Sequence, residues 1–235
     1  MKGFHPTPPP IVDRMVESLF RKRMPRKSDY VLDPGCGHGA FIDGVIRWCE
    51  RNDVPCPTIV GVESDPAFVS VLQKKYARDE RVVVEYADFL RSTGRRFQYV
   101  VGNPPYVAIT GLSEREKGYY RKHFRTAQGR FDLYFLFIEQ ALRHAEENAR
   151  LVFITPEKFM YVLSAKPLRR LLSTHGTQSV EMVDEDAFPG LVTYPTITTV
   201  DVCRSTRPTC VTLRDGQKIS FELPASGESW LPLLA

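Results

Sequence analysis

The sequence has no apolar run approaching the roughly 18 consecutive residues of a membrane-spanning helix. Its N-terminus also lacks the apolar stretch of a secretory signal peptide, so we expect a cytoplasmic protein without membrane contacts. Cysteine and histidine are scarce, with five of each, and they form neither a C-x-x-C nor an H-x-x-x-H pair. These spacings argue against a zinc site and against a disulfide framework, and we expect no bound metal.

Hydrophobic residues make up 43% of the 235 residues and charged residues 26%, the composition of an ordinary globular domain. From residue 30 onward, strand-like segments alternate with helix-like ones, including a long apolar helix predicted over residues 131–147. Such alternation indicates a mostly parallel sheet with helices on both faces, and the final strands, which lack long intervening helices, indicate an antiparallel edge. We therefore predict an α/β domain with seven to eight strands over residues 1–214, and a tail or linker over residues 215–235.

A glycine-rich turn follows the first predicted strand, where residues 33–39 read D-P-G-C-G-H-G. Glycines let a ligand approach the backbone closely, and α/β sheets bind ligands at the carboxyl ends of their strands. The G-x-G-x-G spacing differs from the dinucleotide-binding G-x-G-x-x-G, and the Lys-Ser/Thr of a P-loop is missing. With Asp33 at the strand end, the turn suits a cofactor that has an amino-acid end. A purely structural turn is the alternative.

Acidic residues follow the next two predicted strands. Glu63 is placed to accept hydrogen bonds from ribose hydroxyls, whereas Asp65, directly before Pro66, is predicted to cap the following helix. Asp88 and Phe89 combine a carboxylate with an apolar ring, a pair that can bind the amino group of an adenine and pack against its face. A capped turn explains Asp88 equally well.

The most specific motif is N-P-P-Y at residues 103–106, after another predicted strand. Its prolines make a rigid segment that cannot continue a sheet, with an amide at one end and an aromatic ring at the other. The Asn103 side-chain oxygen and the Pro104 carbonyl can accept both N–H bonds of an exocyclic amine, which aims the nitrogen lone pair at a methyl donor. Tyr106 can stack on the base that carries the amine. The motif therefore predicts methylation of an amine such as that of adenine.

Basic residues concentrate directly after this motif, between residues 107 and 130, together with two acidic and three aromatic residues. Basic and aromatic side chains together suit a nucleic-acid backbone, and the position beside N-P-P-Y favours that interpretation. A solvated helix face is the alternative. The candidate DNA-binding residues are Arg115, Lys117, Arg121, Lys122, Arg125 and Arg130.

These motifs, with the segment H-P-T-P-P-P at residues 5–10, resemble the gamma-class amino-methyltransferases of DNA restriction–modification systems over roughly residues 4–204. The resemblance implies a Rossmann-like methyltransferase fold, S-adenosylmethionine as cofactor, and methyl transfer to the N6 of an adenine flipped out of double-stranded DNA. It implies that Asn103, Pro104, Pro105 and Tyr106 are catalytic, and that Phe188 presses on the flipped base opposite Tyr106. The cofactor-binding residues that it implies are Thr7, Asp33, Pro34, Gly35, Cys36, Gly37, Gly39, Glu63, Asp88, Phe89, Asn103, Pro105 and Phe137.

The sequence departs from this class at its C-terminal end. Enzymes of the class carry a further domain that recognises the target sequence, whereas about 20 residues follow the last predicted strand here. We therefore expect recognition to come from a separate or deleted domain. Two other functions remain as alternatives: a methyltransferase acting on a protein glutamine or an RNA base amine, and a non-catalytic DNA-binding subunit. The intact N-P-P-Y motif argues against the second, and the short segment before Asp33 argues against a release-factor enzyme.

Overall fold

The computed structural model describes residues 6–184, 194–203 and 207–234, and within these ranges it contains six α-helices and nine strands. The helices are α1 (Pro9–Phe20), α2 (Ala40–Arg51), α3 (Pro66–Lys75), α4 (Glu114–His123), α5 (Leu133–Arg143) and α6 (Lys166–Ser173). The strands are β1 (Tyr30–Pro34), β2 (Thr58–Glu63), β3 (Val82–Tyr86), β4 (Phe97–Gly102), β5 (Ala145–Pro156), β6 (Thr177–Met182), β7 (Pro195–Asp201), β8 (Thr209–Thr212) and β9 (Lys218–Phe221). None of the described helices combines the length and the apolar character that crossing a bilayer requires.

All nine strands form one sheet in the order β3-β2-β1-β4-β5-β7-β6-β8-β9. The pairs from β3 through β5 are parallel, whereas β7 runs antiparallel to both of its neighbours, β5 and β6. The predicted α/β class, with a largely parallel sheet and an antiparallel edge, is confirmed. The strand that the sequence prediction missed is β9, because its four residues carry only a weak alternation of half-buried and exposed positions.

The sheet separates two apolar cores. Side chains alternate along a strand, so Val31 of β1 packs with helices α1 and α2, while Leu32 faces the core that α5 fills. The strand order reverses at β1, which has β2 on one side and β4 on the other. Loops leaving the carboxyl ends of β1 and β4 therefore diverge around a crevice, and such a crevice is where open α/β sheets bind ligands.

The helix predicted over residues 131–147 is wrong at its C-terminal end. Helix α5 ends at Arg143, and β5 begins at Ala145, which pairs with Phe97 of β4. Glu146 and Glu147 favour a helix in isolation, but pairing along β4 overrides that local preference. The register of the pair shifts between Phe97 and Tyr99, which leaves room for the extra residues.

The segment after residue 214, which we expected to be a tail, packs against the same sheet. Strand β9 pairs with β8, and the Trp230 side chain is fully buried while its backbone N–H donates to the carbonyl of Met160 at 2.8 Å. The buried Arg169 guanidinium donates to the carbonyls of Gly227 and Phe159 at 2.9 and 2.8 Å. The described part of this segment therefore shares the core of the domain, and a further recognition domain stays a prediction.

Candidate active site

The glycine-rich turn after β1 is fastened to the end of β2 by its own backbone. The N–H groups of Gly35 and Cys36 both donate to the Val62 carbonyl, at 2.8 and 3.1 Å. Gly35 and Gly39 have φ angles of 75° and 78°, which L-amino acids with side chains rarely adopt. A Cβ on Gly39 would also lie 2.8 Å from the Tyr76 hydroxyl oxygen. Only glycine at these positions keeps the turn tight and its backbone open toward the crevice.

Glu63, at the end of β2, is buried and holds the same turn. One carboxylate oxygen accepts from the Gly37 N–H at 2.9 Å, and the other accepts from Ser64 and Asp65 at 2.7 and 2.8 Å. A carboxylate offers about four acceptor sites, so three N–H donors leave capacity for one further hydroxyl. Asp65 caps α3 through the Ala67 N–H, as the sequence predicts.

Asp33 lies at the end of β1 with its side chain 1% exposed, and within the described part of the chain neither carboxylate oxygen has a hydrogen-bond partner. Burial raises the pKa of Asp33 well above its ordinary value, and the neighbouring Glu63 raises it further. A buried carboxylate without donors is costly unless a partner supplies them. The position therefore fits a ligand that brings a positive charge or N–H groups to the crevice.

The N-P-P-Y loop begins where β4 ends and reaches the same crevice. A Cβ on Gly102 would lie 3.3 Å from the Asp33 carboxylate, which shows how close the two strand ends are. The Asn103 amide nitrogen donates to the Thr7 hydroxyl at 3.0 Å, so a residue preceding α1 sets the orientation of this amide. A Cβ on Gly35 would contact both Phe137 and Pro105, at 3.5 and 3.9 Å. The turn, the loop and α5 thus converge on one site.

Tyr106, at the other end of the loop, is held by β5. Its hydroxyl donates to the Ile154 carbonyl at 3.2 Å, and its ring packs edge-on against Tyr134 with centroids 6.1 Å apart. Burial raises the pKa of Tyr106, so the hydroxyl stays protonated and remains a donor. Both contacts fix the ring relative to Asn103.

Asp88 and Phe89 follow β3, on the far side of β2 from the loop. Asp88 accepts from the Leu90 N–H at 3.0 Å and from the Arg91 guanidinium at 3.1 Å, so it does cap a turn. Phe89 is buried, and its ring lies 5.4 Å from that of Phe137, centroid to centroid. An apolar wall therefore connects Phe89 with the glycine turn through Phe137.

The remaining predictions about the site concern Phe188 and a bound metal. Phe188 lies outside the described residues, but the strand ends that bracket it reach the same carboxyl edge: Val183 donates to the Pro195 carbonyl, and Glu157, just after β5, donates to the Tyr194 carbonyl. No grouping of three or more potential metal ligands occurs in the described ranges of the chain.

The basic segment contains helix α4, which starts with a capping box between Ser113 and Glu116. Lys117 pairs with Glu114 at 2.7 Å and is half-buried. The other five predicted cations are exposed: Arg115, Arg121, Lys122, Arg125 and Arg130. The sequence reasoning missed Arg91, whose guanidinium carbon lies 4.0 Å from the Tyr119 ring centroid. Its spacing of three residues from Asp88 is the signal that could have identified it.

Known methyltransferases are among the curated proteins that this chain resembles. Modification methylase CviBIII of Paramecium bursaria Chlorella virus NC1A is 35% identical over 159 residues, which are 67% of this chain and 39% of that protein. Type II methyltransferase M.TthHB8I of Thermus thermophilus is 32% identical over 191 residues, 78% of this chain and 41% of that protein. The chain thus spans about two fifths of the length of these curated relatives.

Among solved structures, the methyltransferase subunit of a type I restriction–modification system from Streptococcus thermophilus superposes with a TM-score of 0.74. It shares 17% sequence identity, and the match covers 90% of this chain and 48% of that one, which establishes a common fold. Residues 58–188, more than half of the chain, match the sequence profile described as Eco57I restriction-modification methylase. The chain therefore belongs to the Eco57I restriction-modification methylase family.

Proposed function

We propose that the chain is the catalytic domain of a DNA methyltransferase that transfers a methyl group from S-adenosylmethionine to the N6 of adenine. The observation that carries the proposal is the placement of Asn103-Pro-Pro-Tyr106 beside the glycine turn and the unpartnered Asp33, across the boundary between β1 and β4. The Asn103 amide and the Tyr106 ring, which suit the binding of a planar amine, thus lie next to a crevice that fits a cationic cofactor.

The contacts around the crevice support the proposed cofactor site. When bound, S-adenosylmethionine supplies an electrophilic methyl group on a sulfonium centre. Asp33 and the turn of residues 35–39 would hold its amino-acid end, while Glu63 has one acceptor position left for the ribose. Phe89 and Phe137 form an apolar wall for the adenine ring, and Asp88 stands at its rim.

The catalytic contribution of the chain is positioning rather than strong acid–base chemistry. The Asn103 side-chain oxygen and the Pro104 carbonyl would accept the two N–H bonds of the amine and orient its lone pair. Correct orientation of reactants accounts for many orders of magnitude in rate. Tyr106, fixed by Ile154 and Tyr134, offers a stacking face worth about 1–3 kcal/mol. Stacking on Tyr106 therefore offsets part of the cost of flipping a base out of the duplex, which is roughly a few kcal/mol.

Double-stranded DNA is the proposed substrate because a segment with exposed cations follows the N-P-P-Y loop in the chain. These cations lie on α4 and on the loop after it. Phe188 would press on the flipped base from the side opposite Tyr106. The ends of β6 and β7 support this role, since they place the two ends of its loop at the carboxyl edge of the sheet. We propose that target recognition depends on residues outside the matched region, because the chain covers about two fifths of the length of these relatives.

The direct test is to incubate the chain with labelled S-adenosylmethionine and unmethylated DNA at low salt and high DNA concentration, then analyse the nucleosides by mass spectrometry. Low salt strengthens phosphate contacts, so DNA binding in this assay does not depend on recognition of a particular target sequence. We expect N6-methyladenine. Label on cytosine would contradict the base assignment, and label on RNA or on a protein glutamine in parallel reactions, without label on DNA, would contradict the substrate class.

A second expectation concerns α4. Replacing Arg121 and Lys122 by alanine should weaken DNA binding and flatten its salt dependence, by up to about 0.9 in the log–log slope for each phosphate that is no longer neutralised. Fluorescence titrations across a salt series measure this slope. The matched control replaces Lys27 and Arg51, two exposed cations near the amino ends of β1 and β2, and should leave the slope unchanged. Equal slopes for both double variants would mean that the α4 cations are merely solvated.

A further inference from the structure

Arg91 contacts both the proposed cofactor site and the proposed DNA-binding helix α4. Its Nε donates to the Asp88 carboxylate at 3.1 Å, on the rim of the pocket assigned to the cofactor adenine. Its guanidinium also lies over the ring of Tyr119 at 4.0 Å, in the middle of helix α4. One side chain thereby joins the turn after β3 to the basic helix.

The α4 end of this bridge is well anchored. The Tyr119 ring stacks on His123 at 4.1 Å, and the neighbouring Tyr120 is buried in the core that contains Phe89. Burial raises the pKa of Tyr120 to about 12, and the negative charge of nearby Asp88 contributes to the rise. The Asp88 end is less fixed, because its side chain and that of Arg91 are 40% and 47% exposed.

We propose that Arg91 is a positioning residue that couples cofactor binding to DNA binding through Asp88 and Tyr119. The inference rests on the proposed function, since it takes Asp88 as the adenine ligand and α4 as a DNA contact. An adenine amino group bound to Asp88 fixes the orientation of the carboxylate. The carboxylate then fixes Arg91, and Arg91 fixes the ring of Tyr119.

The coupling should be positive. Each ligand removes conformational freedom from the same three side chains, so whichever binds second has less ordering left to impose. Because the bridging pair is partly exposed, we expect a factor near the lower end of the usual range for linked sites, about fivefold. Linkage requires that DNA strengthen cofactor binding by the same factor.

The test uses the whole 235-residue chain, a short fluorescent duplex, and S-adenosylhomocysteine as a cofactor probe that cannot transfer a methyl group. The dissociation constant for DNA is measured with and without the probe, and that for the probe with and without DNA. In the wild type both ratios should be about fivefold. In Arg91→Ala both should fall to one, and Arg91→Lys should lose most of the effect because an ammonium does not stack as a guanidinium does.

Arg95→Ala is the matched control. Arg95 is 46% exposed and contacts Glu85 at 3.7 Å and the Tyr30 ring at 5.2 Å, so it resembles Arg91 without touching Asp88 or Tyr119. Its ratios should equal those of the wild type. Because each ratio compares affinities within one variant, a general weakening of binding does not imitate a loss of coupling. Tyr119→Leu combined with Arg91→Ala should lower the ratio no further than either change alone.

Wild-type ratios near one, or an unchanged ratio in Arg91→Ala, would overturn the inference. Either result would leave N6-methyladenine formation by the wild type untouched, so the proposed function would survive it. Failure of the proposed function is recognised independently, by the base or polymer that carries the label.

Discussion

Asn103→Ala is expected to bind S-adenosylmethionine like the wild type and to lose about 10²–10³-fold in turnover, the usual effect of removing one oriented polar group from an active site. The amide is preorganised by its hydrogen bond to Thr7, so it has little freedom to lose when the target amine arrives. Single-turnover methyl transfer to DNA measures the chemical step, and calorimetric titration measures cofactor affinity separately.

The matched control for this variant is Asn52→Ala. Asn52 also uses its amide nitrogen as a donor, to the Trp48 carbonyl at 2.8 Å. It lies at the end of α2, which leads into the amino end of β2 and so away from the carboxyl ends of the strands where the site lies. Its turnover should equal that of the wild type. Turnover of Asn103→Ala within a fewfold of the wild type would contradict the catalytic assignment of the loop, and a loss of cofactor affinity equal to the loss of rate would assign Asn103 to cofactor binding alone.

Asp33→Asn is expected to stabilise the cofactor-free protein and to abolish most of the stabilisation that the cofactor provides. Burial and Glu63 raise the folded-state pKa of Asp33 above its unfolded value, so its contribution to stability is full at low pH. The free energy of unfolding therefore falls as pH rises above about 3.9, the ordinary pKa of aspartate. An amide carries no charge, so the difference between the variant and the wild type should grow between pH 5 and pH 8.

Thermal unfolding with and without S-adenosylmethionine, at both pH values, measures both parts of this prediction. Losing a buried charge partner should weaken cofactor binding by about 2–5 kcal/mol. Asp201→Asn provides the contrast: Asp201 is buried too, but it pairs with Lys22 at 3.1 Å and with Arg150 at 3.6 Å, so its neutralisation should destabilise the fold. A lower melting temperature for cofactor-free Asp33→Asn would mean that Asp33 already has a stabilising partner.

The parts of the site that were predictable from the sequence are those that depend on short-range geometry. Glycines that need a left-handed backbone, as at Gly35 and Gly39, identify the turn without knowledge of its neighbours. Asp65 before Pro66 identifies a helix cap in the same way. The alternation of strands and helices indicated the α/β class because each strand must be covered on both faces.

The parts that were not predictable depend on contacts between distant segments. Residues 145–147 continue a helical pattern, and only pairing with β4 makes them a strand. The bond between Asn103 and Thr7 and the contact between Arg91 and Tyr119 join residues whose proximity no local pattern encodes. The lack of a hydrogen-bond partner for the Asp33 carboxylate among the described residues likewise depends on how distant segments pack. Strand β9 needed β8 as a partner before its four residues could be recognised.

The position of β7 also determines when the sheet can be completed during synthesis. Because β7 lies between β5 and β6, the open side of β5 stays unpaired until residues 195–201 have been made, although β6 is synthesised earlier. The last six residues of β5 are all buried in the finished sheet, so the nascent chain presents an apolar strand edge throughout that interval. Translation between residues 156 and 195 is therefore a period in which this chain exposes an aggregation-prone strand edge.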